Sequence, residues 1–272
     1  MGNRKYFLLG MVCSFCNISA QQLQKQDAVS LSLSDADIAC GEASLFSNPA
    51  QVPHYRQKLL ILNYSNPYLL PGLSTSSLAG VWSRRQDTFS GTLGYFGSRI
   101  LNEILISFSY GREISHWLDA GIRMNYWRRK IEVYDEPQHM LTGEAGIRMN
   151  FFRNLQIGMH YINPAGVGYP GTDDFLERNL QLGLGYTCTH DFYLAAKLAL
   201  IDLRKPALSL GLGYYPIKGM VLRCGLKIGN YLSWSFGLGT TKGRFQVDLG
   251  ICQHTVLGLS PACTVSYKIA GE

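Results

Sequence analysis

The sequence predicts an all-β fold, a transmembrane antiparallel β-barrel of about 14 strands. Three observations carry that reading. From Gln57 onward the chain is a train of short segments in which apolar residues alternate strictly with small or polar ones. A period of two marks strands with two unlike faces, whereas a helix would repeat its apolar residues at three- and four-residue spacing. Most segments run about nine to twelve residues, the length of a tilted strand crossing a bilayer, against about five or six in soluble proteins. The connections also segregate: those after even-numbered strands are all short, and the longer ones all follow odd-numbered strands.

The strands are placed at about 57–64, 75–84, 87–96, 101–111, 116–128, 140–151, 154–162, 177–188, 190–200, 205–214, 219–229, 232–240, 243–253 and 262–269. The second half is clearest. Leu180, Leu182, Leu184 and Tyr186 alternate with Gln181, Gly183, Gly185 and Thr187. Leu232, Trp234, Phe236 and Leu238 alternate with Ser233, Ser235, Gly237 and Gly239. The longer connections are 65–74, 129–139, 163–176 and 254–261, all at one end. Outer-membrane barrels have short periplasmic turns and longer outer loops, so both termini are expected in the periplasm. One segment returns: DAGIRMNYWR at 119–128 reappears as EAGIRMNFFR at 144–153. The interval of about 25 residues suggests like strands in like orientation, with no solenoid because the pattern stops there.

The N-terminus reads as an export signal. Arg4 and Lys5 precede a short apolar core, and Ile18-Ser19-Ala20 offers a cleavage site. The chain is thus divided into residues 1–20, a signal peptide; 21–56, an N-terminal segment; and 57–272, the barrel. Losing Arg4 and Lys5 takes the net charge from +6 to +4. That charge is weak and dispersed and argues against a nucleic-acid partner. Charged residues make up 16% of the chain, below the roughly 25% usual for soluble domains. No stretch approaches the ~18 apolar residues of a membrane helix.

The apolar strand face must meet lipid, and the other face the lumen. Aromatics near strand ends fit two interfacial girdles: Tyr64, Tyr95, Trp117, Tyr126, Trp127, Phe151, Phe152, Tyr161, Tyr186, Tyr214, Tyr215 and Tyr231. The lumen-facing polar set is Asp119, Arg123, Glu144, Arg148, Lys197, Arg223, Lys227, Arg244 and Asp248. It mixes signs, so pairing is expected rather than a porin-like selectivity ring. Many other lumen positions are Gly, which leaves space inside. Residues 21–56 either tuck into that space as a plug or lie in the periplasm as a disordered lead, and composition does not choose between them.

Catalytic signatures are missing from the sequence. His54, His116, His139, His160, His190 and His254 show no zinc-site spacing, and Cys40, Cys188, Cys224, Cys252 and Cys263 are too dispersed for a disulfide framework. There is no G-x-S-x-G, P-loop or dinucleotide fingerprint. The chain is expected to be no enzyme and to need no cofactor.

The stretch GEASLFSNPA at 41–50 resembles the N-terminal signature of fatty-acid-transporter-like barrels and of their Bacteroidetes relatives, the PorV/PorQ proteins of type IX secretion. YINPAGV at 161–167 and HTVLGLSPACTVSY at 254–267 are similar to further parts of PorV/PorQ sequences. The resemblance implies a barrel with an inward N-terminal segment, which Asn48, Pro49 and Ala50 would anchor. It implies a secretion-associated or cargo-handling role, with secretion-system proteins or secreted cargo as partners beside outer-membrane lipid. The alternative it brings is a channel for small hydrophobic molecules.

Overall fold

The computed structural model describes residues 26–40, 44–70, 72–98, 100–132, 136–169, 176–203, 205–229 and 231–269. The expected signal peptide, residues 1–20, lies outside the described residues, as does Gly41 to Ala43 of the N-terminal motif. The strands are β1 (Lys58–Ser65), β2 (Thr75–Arg84), β3 (Asp87–Gly97), β4 (Leu101–Ser115), β5 (Leu118–Ile131), β6 (Gln138–Phe152), β7 (Leu155–Ile162), β8 (Asn179–Thr189), β9 (Phe192–Ile201), β10 (Lys205–Ile217), β11 (Met220–Ile228), β12 (Leu232–Lys242), β13 (Phe245–His254) and β14 (Gly258–Ile269). Each pairs antiparallel with its neighbours in sequence, and β1 closes on β14, giving a 14-stranded barrel. Closure leaves no edge, so backbone polar groups are paired without water, the condition a bilayer imposes. Among the described residues no helix is long and apolar enough to cross a membrane.

The alternation read from sequence sets the faces. Leu182, Leu184, Trp234, Phe236, Leu249 and Ile251 are exposed on the outer wall, where lipid would cover them. Asn125, Ser209 and Ser235 are fully enclosed on the inner one. All six connections after even-numbered strands are two-residue turns: 85–86, 116–117, 153–154, 190–191, 218–219 and 243–244. The other end carries longer segments, of which 66–74 and 163–178 are the largest.

Four expectations change. The supposed loop at 254–261 shrinks to a turn at 255–257, because β14 starts at Gly258 and Pro261 sits within the ladder opposite Ile251. Trp127 and Tyr215 leave the lipid-facing girdle: Trp127 is buried with Phe96, Leu105, Met140 and Tyr169, and Tyr215 packs on the cluster containing Leu33 and Tyr193. Arg244 leaves the lumen set, since it occupies the exposed turn between β12 and β13, where no wall orients it inward. The repeated segments lie on β5 and β6, adjacent and antiparallel, so their orientations are opposite.

The described residues between 26 and 56 run inside the barrel, against β3 to β6 and β11 to β14. They include a short helix, α1 (Ala28–Ser32), and a 3-10 helix at Pro49–His54. Nearly every described residue from Gln26 to Pro53 is buried.

Candidate functional site

The plug is seated on a shelf of lumen-facing glycines. Gly111 of β4, Gly121 of β5 and Gly146 of β6 are direct cross-strand partners, as are Gly158 with Gly183, Gly211 with Gly225 and Gly237 with Gly250. A methyl group on Gly158 would come within 2.8 Å of the Ile38 carbonyl oxygen, and one on Gly250 within 2.7 Å of the Ala28 carbonyl oxygen. Gly211 meets Ala36 and Leu33, and Gly237 meets Ser32. The wall is thinned where the plug backbone passes.

The repeat on β5 and β6 forms the socket at its centre. Because the two copies run antiparallel, Asp119 stands opposite Arg148, Gly121 opposite Gly146 and Arg123 opposite Glu144. One acid-x-Gly-x-Arg pattern, met by its own reverse, thus makes two ion pairs flanking two glycines. Arg123 and Glu144 approach to 2.8 Å, and Arg148 and Asp119 to 3.8 Å. Pro49 lies over Gly121 and Asn48 over Gly146.

Asn48 is fully enclosed. Its Oδ1 accepts from the Ala50 N–H at 3.0 Å and so caps the 3-10 helix. Its Nδ2 donates to the carbonyls of Ile38, Ile147 and Met159 at 3.3, 3.1 and 3.3 Å. Ile147 and Met159 are paired across β6 and β7, so one amide ties the plug to two strands. Pro49 then occupies the first helical position, where its missing N–H costs nothing.

The charged wall residues hold the rest of the plug. The Arg123 guanidinium donates to the Leu45 and Phe46 carbonyls at 2.6 and 3.2 Å, besides bonding Ser109. Glu144 also accepts from Asn125 and contacts His160 at 3.0 Å. His54 Nε2 lies 3.0 Å from Asp119 and also meets Arg148. Lys227 and Lys197 reach Asp35 at 2.8 and 3.9 Å. Arg223 and Asp248 pair at 2.9 Å within the wall. Asp119, Arg123, Glu144, Arg148, Lys197, Arg223 and Asp248 are all buried, and Lys227 is half-buried.

Enclosure shapes the plug's titrating groups. Burial pushes Asp27 up to about 7, although it accepts from the Ser30 N–H and the Ser44 hydroxyl. Burial likewise raises Asp37 to about 6, against the pull of Lys197. Burial also acts on Asp35, but Lys227 and Lys197 outweigh it and hold that carboxyl below its ordinary range. Burial, then Arg148 and Arg56, lowers His54 to about 3.

Space remains around the plug. At the end bearing the longer connections a cavity of ≈ 470 Å³ opens between Leu31, Asp35, Tyr68, Ala207, Lys227 and His254. A second cavity of ≈ 240 Å³ lies deeper, against Asp37, Trp127, His160, Lys197 and Ser209. Asp35, Ile201, Ala207 and Lys227 line both, so the two adjoin. A third, ≈ 310 Å³, lies toward the two-residue turns, between His54, Arg56, Asp248 and Lys268. In the connection after β7, Tyr169 is buried and Leu176 lines the deeper space. Asn163 holds the stem of that connection through Val167 and Leu176, and Tyr169 stacks under Arg129 at 4.2 Å, itself paired with Glu103 at 2.6 Å.

Sequence reasoning missed Glu103, Arg129 and the apolar inner patch of Phe96, Leu105, Trp127 and Met140. The signal available was the broken alternation at Tyr95-Phe96, Ile104-Leu105-Ile106, Tyr126-Trp127 and Met140-Leu141. The described residues hold no group of three or more His, Cys, Asp or Glu placed to bind a metal ion.

No family model matches the chain, and no curated protein does. Solved structures do. The chain is similar to the CymD monoaromatic hydrocarbon channel, with a TM-score of 0.74 at 11% identity over 93% of this chain and 100% of that one. It is similar to the toluene transporter TbuX of Ralstonia pickettii, at 0.73 and 10% identity over 92% and 100%. A FadL homologue of Pseudomonas aeruginosa matches at 0.67 and 12% identity over 90% and 98%. At such identities the likeness is one of fold, a closed 14-stranded antiparallel barrel.

Proposed function

We propose that the chain carries small hydrophobic molecules across the outer membrane, with both termini in the periplasm and no chemical step. The observation that carries this is the pair of adjoining cavities between plug and wall, entered from the end with the longer connections. The outer one combines aliphatic walls from Leu31, Pro206, Ala207 and Pro261 with the ring cluster of Tyr68, Tyr231 and His254. Asp35, paired with Lys227, together with Glu177, Lys205 and several serines, supplies the polar part of its lining, and a concave site of this size suits a small ligand. Structural neighbours are described as a monoaromatic hydrocarbon channel and a toluene transporter, which supports the same substrate class here.

Support for a secretion-associated role of the PorV/PorQ kind is thinner. It comes from the short motifs alone, and connections only three residues long after β3, β9, β11 and β13 offer exported cargo little outer surface.

Uptake of radiolabelled toluene by cells making or lacking the protein is the test. Faster uptake is expected with the protein, and slower uptake with Ala207→Trp, which narrows the junction of the two cavities. Heat-modifiable gel mobility would report that the variant barrel is folded. Equal uptake by all three strains would sink the reading.

A further inference from the structure

The two ends of the barrel differ in charge. At the end closed by two-residue turns, Arg56, Lys58, Arg84, Arg85, Arg112, Arg153, Lys218, Lys242, Arg244 and Lys268 are exposed or half-buried. Among the exposed or half-buried described residues there, only Asp87, Glu113 and Asp191 oppose them, ten cations against three anions, while the buried Asp119 is paired with the buried Arg148. At the opposite end Arg128, Lys130, Arg178 and Lys205 are matched by Glu132, Glu136, Glu177 and Asp202. Two of those three acids at the basic end are already engaged, Asp87 by Arg112 at 3.7 Å and Glu113 by Arg56 at 3.6 Å.

The depth of these cations is set by aromatic residues. Trp82, Phe89 and Tyr110 are successive cross-strand partners on β2, β3 and β4, and Phe245 stands opposite Tyr267. Trp117, Phe151, Phe152 and Tyr214 continue the exposed band toward the same end. Such rings sit at the headgroup level of a bilayer. Arg84, Arg85, Arg153, Lys242 and Arg244 lie one to three residues beyond a member of this band or in the adjoining turn. At about 3.3 Å per residue, that puts their charges at the depth of the lipid phosphates. The Lys58 ammonium itself lies over the Trp82 ring, 4.7 Å from its centroid, a cation held at the level of the aromatic band.

We propose that this basic rim is a binding surface for the head groups of anionic glycerophospholipids in the leaflet it faces. Eight of the ten cations lie at one depth on the contiguous strands β12 to β14 and β1 to β4, with Arg153 and Lys218 on the remaining half, and a protein partner would need a raised surface to grip. The two-residue turns provide no raised surface. The proposal rests on the barrel's placement in a membrane and is independent of what passes through it.

The test is native mass spectrometry of the full chain, purified in mild detergent and offered an equimolar mixture of phosphatidylethanolamine, phosphatidylglycerol and lipid A. Phosphatidylglycerol adducts are expected to exceed phosphatidylethanolamine adducts. The variant Arg85→Gln/Arg153→Gln/Lys218→Gln/Arg244→Gln is expected to lose that excess, each cation contributing roughly fivefold at most. Lys130→Gln/Lys205→Gln at the other end is expected to keep it. Equal retention of the two phospholipids by the wild type would overturn the proposal even if the fourfold variant fails to fold. Preferential retention of lipid A would overturn it as well, because the rim would then read the lipopolysaccharide of the outer leaflet.

Discussion

Asp27 caps α1 with its side chain and is enclosed, so its carboxyl is held in the protonated form over a range where a free aspartate is ionised. A folded-state pKa raised by burial from 3.8 to about 7 contributes stability below the unfolded value and loses it as pH rises through the folded one. The window is therefore about pH 4 to 7. His54 works the other way in part of it: its neutral form is favoured in the plug, so acidification below its ordinary range costs stability. A comparison of variants separates the two. Asp27→Asn keeps an acceptor for Ser30 and Ser44 and cannot ionise. Hydrogen exchange of plug amides, corrected for intrinsic rates, should match wild type near pH 4 and be at least about tenfold slower than wild type at pH 8. Identical curves would mean that Asp27 does not titrate within the plug. Asn48 acts without charge. Asn48→Ala removes a cap and three donations to carbonyls that the plug leaves buried, a loss of about 1–3 kcal/mol. Limited proteolysis between residues 26 and 56 should accelerate while the heat-modifiable mobility of the barrel stays the same. An unchanged cleavage rate would remove Asn48 as an anchor.

At the scale of elements, period-two alternation made the strands, their faces and the barrel closure legible, because a wall between lipid and lumen imposes opposite chemistry on successive residues. The start of β14 was hidden by Pro261, which reads as a breaker although its carbonyl still accepts from the Asn66 N–H. The inward turn of Trp127 was hidden because two adjacent aromatics, Tyr126 and Trp127, fit either face until Tyr169 supplies an inner partner. Lumen glycines could be recognised as space but not assigned an occupant, since a glycine states only what is missing. The repeat on β5 and β6 was visible as repetition. Its meaning as a socket needed the register, which places the two glycines opposite each other between reciprocal ion pairs. That register supports a prediction about the element. A Cβ at position 121 would lie 2.8 Å from the Ala50 nitrogen and still nearer to Pro49, both backbone. Gly121→Ala should therefore unseat the 3-10 helix and expose the plug to protease at least as strongly as Asn48→Ala. Gly143, with nothing within 4 Å of its would-be Cβ, is the control: Gly143→Ala should leave the plug protected. Equal protection in both variants would show that the helix does not rest on the shelf.

For the whole molecule the question is how far wall and plug are separate structures. Strand pairing runs around the full circumference, and the register shifts on β4, β6, β8 and β10 all fall near the two-residue turns rather than in mid-wall. The wall ladder is thus complete without any plug residue. Lumen charges also have partners within the wall: Arg123 with Glu144, Arg148 with Asp119, Arg223 with Asp248 and Arg129 with Glu103. Lys197 and Lys227 are the exceptions, since the carboxylate they share is Asp35 of the plug. Deleting residues 26–56 should then leave a folded barrel whose lumen fills with water, because a polar inner face tolerates hydration and a 14-stranded ring is too wide for its own side chains to fill. Two measurements on that variant follow from the same geometry. Its gel mobility should still shift on boiling, and planar bilayers should show steady single-channel conductance where the full chain shows little. With two lysines released from Asp35, that conductance should favour anions, and Lys197→Gln/Lys227→Gln should reduce the preference. A variant that no longer shifts on boiling would mean that the plug is part of the folding core, and a folded variant without conductance would mean that the connection after β7 closes the lumen by itself.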